Sequence, residues 1–390
     1  MSQPTNVGVT AAKGFRAAGV TAGIKASGTP DLALVVNDGP SLAAAGVFTA
    51  NRVKAAPVLW SEQVLKGGRV SAVVLNSGGA NACTGPLGFQ DTHATAEKAA
   101  AELGLNAGEV AVASTGLIGV RLPMDLLLPG ITAAAGELGE AGGEAAAIAI
   151  KTTDTVHKTA QYTSPAGWTV GGMAKGAGML APSLATMLVV LTTDADLDAA
   201  ALDAALRGAT RTTFDRIDSD GCMSTNDTVL LLASAASGIA PERDEFAEAV
   251  RTVSADLARQ LIGDAEGAGK EIRIDVTGAA TEDEAVEVAR TISRNNLLKC
   301  AIHGEDPNWG RVLAAIGTTS AAFDPNELDV AINGVWVCKA GGVGEDRDLV
   351  DMKGREVVIT AHLNAGTASA TLWTNDLTAD YVHENSAYST

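Results

Sequence analysis

Aromatic side chains make up only 4% of this 390-residue chain. Any core must therefore be built mainly from Ala, Val, Leu and Ile. Such residues are plentiful: the hydrophobic fraction is 46% against 19% charged, which excludes a disordered chain. Cysteine is scarce too. Cys83, Cys222, Cys300 and Cys338 stand apart, with no C-x-x-C pair. Isolated cysteines in so long a chain argue for a reducing compartment rather than a disulfide scaffold. Basic charge is in deficit, with 28 Lys and Arg against 46 Asp and Glu and a net charge of −18. That acidity disfavours nucleic acid and anionic membrane as partners. No apolar run approaches the roughly 18 residues of a membrane-spanning helix. The opening MSQPTNVGVT lacks the basic-then-apolar pattern of a signal peptide. The expected address is the cytoplasm.

Several common active-site signatures are missing. His93, His157, His303, His362 and His383 are scattered, without an H-E-x-x-H pair, so zinc catalysis is not expected. There is no G-x-x-x-x-G-K-[ST] string, no strand-turn G-x-G-x-x-G with an acidic partner and no G-x-S-x-G. A P-loop, a dinucleotide fold and an α/β-hydrolase are thereby disfavoured.

What is present is a mixture of strand and helix signals with no fixed repeat. Residues 70–76 read as a buried strand entering a Gly-rich turn at Ser77–Gly85, and 93–104 read as helix. Residues 109–113 read as a strand ending at Ser114-Thr115-Gly116, and 187–193 as a compact β-rich strand. Residues 131–149 suggest a surface helix and turn. Residues 242–262 carry Phe246, Val250, Val253, Leu257 and Leu261 on one helical face. A half-buried strand is expected at 271–277. A helix is expected from Thr281, where Thr281 and Glu284 suit a capping box. Residues 356–363 and 367–373, around Asn364-Ala365-Gly366, read as a hairpin. A domain boundary is placed near residue 270, giving a catalytic domain over 1–270 and a smaller one over 271–390.

The richest stretch is VGGMAKGAGMLAPSLATMLVVLTTD, residues 170–194. Read by composition, its glycines form a turn, Lys175 is solvated, and Thr186 is a β-branched strand residue. Chemistry offers a second reading. A threonine hydroxyl is a weak nucleophile until a base takes its proton. At a chain start it carries its own base, an α-amine with a pKa of about 7.7–8.0. Such a terminus forms if the Thr186 hydroxyl attacks the Ala185 carbonyl and water hydrolyses the resulting ester. DSDGCMSTNDT at 218–228 reads as turns in which Asp and Asn satisfy backbone groups. It lacks the Gly and Glu spacing of a calcium loop.

KGAGMLAPSLATML, residues 175–188, resembles the cleavage and nucleophile motif of the ornithine acetyltransferases, the glutamate N-acetyltransferases of the arginine pathway. The likeness continues, in family order, through NSGGANACTG (76–85), STGLIG (114–119), TTD (152–154), DSDGCMSTNDT, DAEG (264–267), DPNWGR (306–311) and ENSAY (384–388). It covers essentially the whole chain.

The resemblance implies an αββα-type layered α/β sandwich with a smaller C-terminal α/β domain. It implies cleavage between Ala185 and Thr186 into an α chain (1–185) and a β chain (186–390), assembled as an (αβ)₂ heterotetramer. Thr186 would be the nucleophile, with Thr115 and Gly116 as oxyanion donors. Thr152, Lys175, Thr186, Glu266, Asn385 and Thr390 would contact substrate. Lys175 suits a carboxylate and Glu266 the ammonium of ornithine. No metal or organic cofactor is implied. The small-molecule partners are N-acetylornithine, ornithine and glutamate, with acetyl-CoA a second donor in some members. A self-processing aminopeptidase or amidase, which passes the acyl group to water, is the alternative.

Overall fold

The computed structural model describes residues 6–181 and 187–387. Three sheets carry the architecture. The first runs, in spatial order, Phe15–Val20, Leu32–Asn37, Ala72–Ser77 and Val110–Thr115. The second runs Ala44–Phe48, Thr228–Ala233, Leu188–Thr193, Thr169–Lys175 and Lys158–Thr163. Alternation along these strands decides the layers, because successive side chains point to opposite faces. Phe15, Val35, Leu75 and Ala113 of the first sheet pack against Met173, Leu188, Val190 and Leu230 of the second. The opposite face of the first sheet, with Leu34, Val74 and Val112, meets Ala96, Leu127 and Ile131. These come from the helices Gly85–Leu103 and Met124–Gly136. The opposite face of the second sheet, with Val170, Val189 and Leu231, meets Leu202, Phe246 and Leu257. These come from Ala199–Thr212 and Arg243–Gly263. The order is helices, sheet, sheet, helices: an αββα sandwich.

The central strand Leu188–Thr193 is buried along its whole length. Leu188 and Val190 face the other sheet, while Val189 and Leu191 face the helices. Burial on both faces is why LVVL shows no alternation in sequence. The helix Arg243–Gly263 buries Phe246, Val250, Val253, Leu257 and Leu261, the five residues whose spacing marks it.

The segment 131–149 departs from the surface reading. Gly143–Ala149 buries Ala146, Ala147 and Ala149 and packs on Phe15–Val20. Small residues allow this close approach, so alanine here means contact rather than exposure.

The third sheet is six-stranded, in the order Gly342–Val343, Val335–Lys339, Asp329–Ile332, Glu356–His362, Glu271–Ala279, Ala368–Asn375. With the helices Glu282–Ser293, Asn296–His303 and Trp309–Ile316 it encloses its own apolar core. The expected hairpin at 356–373 is not one. Glu271–Ala279 lies between its arms, parallel to Glu356–His362 and antiparallel to Ala368–Asn375. At Thr281, half of the capping box forms. Thr281 Oγ1 accepts from Glu284 N at 3.2 Å, while the Glu284 carboxylate accepts from Ala322 N instead.

Candidate active site

One end of the two-sheet core gathers several of the conspicuous sequence blocks. Lys175 ends its strand beside Leu188, and Thr115 ends its strand beside Ser77. Lys175 Nζ lies 3.4 Å from Thr115 Oγ1, bridging the two sheets. Gly116 follows at φ +128, a conformation that side chains rarely adopt. A Cβ there would lie 2.6 Å from Gly79 N, so the glycine lets the 78–80 loop close against the strand end. Ala80 N then donates to Leu117 O at 3.0 Å. Asn226 Nδ2 donates to the Ser114 carbonyl at 2.8 Å and the Ala80 carbonyl at 2.6 Å. NSGGANACTG, STGLIG and DSDGCMSTNDT therefore meet around Thr115.

Lys175 is fully buried rather than solvated. Burial pulls its pKa down; Asp154, Glu266 and Asp227 push it back up, while Lys158 adds to the fall. Asp154 Oδ2 lies 4.0 Å from Lys175 Nζ. Asp154 also accepts from Gly176 N at 2.7 Å and from Thr152 N at 3.0 Å. Burial alone would raise the Asp154 carboxyl, yet Lys175 and Lys158 hold it well below the ordinary carboxylate range. Glu266 comes from the turn after Arg243–Gly263. Its N–H donates to the Ala177 carbonyl at 3.0 Å. Its carboxylate packs over Gly178, where a Cβ would stand 2.5 Å from Oε2.

Asp227 is fully buried and accepts from Met187 N at 3.1 Å. Met187 is bonded to residue 186, so this hydrogen bond anchors the chain directly after it. Asp227 Oδ2 has no hydrogen-bond partner among the described residues. Burial pushes this carboxyl well above its ordinary value, against the pull of Met187 N, the Ser224 and Thr49 hydroxyls and Lys175. Tyr381, half-buried, is pushed up to about 12 by burial and by the nearby Asp220, Glu266 and Cys222.

The structure thus brings together Thr115, Gly116, Thr152, Lys175 and Glu266. Asn385 is exposed on the helix Ala379–Ala387 and donates to the Tyr381 carbonyl at 3.0 Å. Ala185, Thr186 and Thr390 lie outside the described residues. Sequence reasoning gave no role to Asp154, Lys158, Asp227 or Tyr381. Asp154 and Asp227 sit inside quoted blocks, TTD and DSDGCMSTNDT, which was the available signal. Lys158, within KTAQYT, carried none. In the acidic loop, Asp220 accepts from Met179 N at 2.7 Å and Cys222 N at 3.0 Å. The four cysteines are all free. No described helix is long and apolar enough to cross a membrane.

The ArgJ family model matches residues 16–390. The chain belongs to the ArgJ family. An arginine biosynthesis bifunctional protein ArgJ of Streptomyces avermitilis is 79% identical over 98% of this chain and 99% of its own length. That of Thermobifida fusca is 63% identical over 98% of this chain and 100% of its own. A solved ornithine acetyltransferase of Mycobacterium tuberculosis, complexed with ornithine, is 63% identical. Its match covers 47% of this chain and 97% of that one, with a TM-score of 0.45. As an ArgJ protein, the chain is an acyltransferase of arginine biosynthesis.

Proposed function

We propose that this chain transfers acetyl from N2-acetyl-L-ornithine to L-glutamate by a ping-pong route through an acetylated Thr186. The observation that carries the reading is the buried Lys175 ammonium 3.4 Å from Thr115 Oγ1, with Glu266 held against the same loop. A diamino acid has a carboxylate for the cation and an ammonium for the carboxylate. Thr152, Asn385 and Thr390 complete the substrate contacts in this reading.

Thr186 Oγ attacks the acetyl carbonyl, and the Thr186 α-amine takes the hydroxyl proton. Thr115 and Gly116 receive the oxyanion. The C–N bond breaks, the proton passes to the leaving amine, and ornithine departs. The glutamate amine then attacks the ester, releasing N-acetylglutamate and restoring the hydroxyl. Maturation uses the same hydroxyl against the Ala185 carbonyl, with water completing the cut. The word bifunctional in the relatives' names supports acetyl-CoA as a second donor. An (αβ)₂ assembly working in the cytoplasm belongs to the same reading.

Ornithine release from N-acetylornithine, followed with and without glutamate, tests the transfer. Release is expected to depend on glutamate; equal rates without it would assign an amidase. Substituting acetyl-CoA for N-acetylornithine tests the second donor.

Gly116→Ala tests the oxyanion site. Its Cβ, 2.6 Å from Gly79 N, must push the 116 amide out of place. Loss of one such donor lowers kcat by about 10²–10³-fold. Steady-state kinetics should show that fall with KM little changed. An unaltered kcat in a folded variant would remove Gly116 from the reaction.

A further inference from the structure

We infer that Lys158 is a positioning residue that fixes the span between Lys175 and Glu266, and so sets which side-chain length the site accepts. This rests on the proposed reading of those two residues as substrate anchors. Lys158 opens the strand Lys158–Thr163, and its side chain is fully buried. Its ammonium lies 2.7 Å from Asp154 Oδ1 and 2.6 Å from Asp264 Oδ2. Each carboxylate grips a different part of the cradle. Asp154 holds the Gly176 and Thr152 amides and stands 4.0 Å from Lys175 Nζ. Asp264 accepts from Thr155 N at 3.1 Å and lies two residues before Glu266.

One buried cation therefore ties the segment carrying Lys175 to the segment carrying Glu266. The backbone link from Glu266 N to Ala177 O, at 3.0 Å, closes the frame on its other side. Nothing in the transfer mechanism uses Lys158. It is too deep for solvent and already engaged by two carboxylates, so its role runs through the groups it holds. Where charged anchors are held rigidly, an added or missing methylene misplaces one end of a diamino acid. Discrimination per methylene in a well-shaped site is about 10–200-fold.

The test compares N2-acetylornithine with its one-methylene shorter and longer homologues, N2-acetyl-2,4-diaminobutyrate and N2-acetyllysine. Lys158→Met alone would strand two buried carboxylates, so it is paired with Asp264→Asn. Lys158→Arg, which keeps the charge but changes its reach, is the second variant. Wild type should prefer N2-acetylornithine by about tenfold or more. In the double variant that preference should fall about fivefold or more through KM, with kcat for N2-acetylornithine largely kept. Lys158→Arg should shift the preference between the homologues while the urea midpoint stays near wild type. If the double variant does not fold, Lys158→Arg decides alone. A folded variant with unchanged preference overturns the inference. A wild type unable to transfer acetyl from N2-acetylornithine refutes instead the function on which it rests.

Discussion

Thr186→Ala is expected to run as a single 39.4 kDa band on a denaturing gel and to transfer no acetyl, whereas wild type runs as two bands near half that mass. Both effects come from one atom. The Thr186 hydroxyl is the group proposed to open the peptide bond after Ala185 and then to carry the acetyl group. Removing a nucleophile of this kind costs about 10⁶-fold in a well-studied hydrolase, so residual turnover should lie near background. Thr186→Ser retains a hydroxyl and should restore both cleavage and transfer in part. N-terminal sequencing of the 186–390 fragment should find Thr186 as a new chain start. An uncut wild type with full activity would refute the N-terminal base, and transfer by Thr186→Ala would refute the nucleophile.

Much of the fold was readable where local signals and tertiary demands agree. The helix Arg243–Gly263 announces itself because its apolar face is continuous and its other face is wet. The strand Leu188–Thr193 is apolar throughout because both its faces are covered. Signals failed where distant chain decides the outcome. The arms at 356–373 look like a hairpin, but a strand from residue 271 onwards pairs with both. Lys175 looks solvated among glycines, yet strand pairing carries it inside, where Asp154 and Thr115 await it. The site behaves in the same way. Its blocks were legible as a family pattern, but the charges that hold it in shape were not. Lys158 and Asp154 are four residues apart, but Asp264 lies 106 residues beyond Lys158 and joins the pair only when strand Lys158–Thr163 lies beside the helix Arg243–Gly263.

That charge frame makes Asp154→Ala the second large effect. The substitution leaves Lys175 without its nearest carboxylate and Lys158 with one of two, while the Gly176 and Thr152 amides lose their acceptor. Breaking a buried pair from one side costs about 3–5 kcal/mol, so the urea midpoint at neutral pH should fall steeply. Asp154→Asn keeps the shape and removes only the charge, which allows a pH test. The Asp154 carboxyl is held below its ordinary value by Lys175 and Lys158 despite burial. The folded state therefore binds this proton less readily than the unfolded chain. Its contribution is fully present above the unfolded pKa of about 3.9 and drains away as pH falls below it. Asp227 has the opposite sign, because burial raises its carboxyl. Its contribution is complete below about pH 3.9 and shrinks as pH climbs toward the folded value. The stability gap between wild type and Asp154→Asn should consequently narrow below about pH 4. Against Asp227→Asn, wild type should instead lose ground as pH rises. Urea titrations from acid to neutral pH read both slopes, and a gap to Asp154→Asn that stays constant through the acid range would mean that the carboxylate charge is not what holds Lys175 and Lys158 in place.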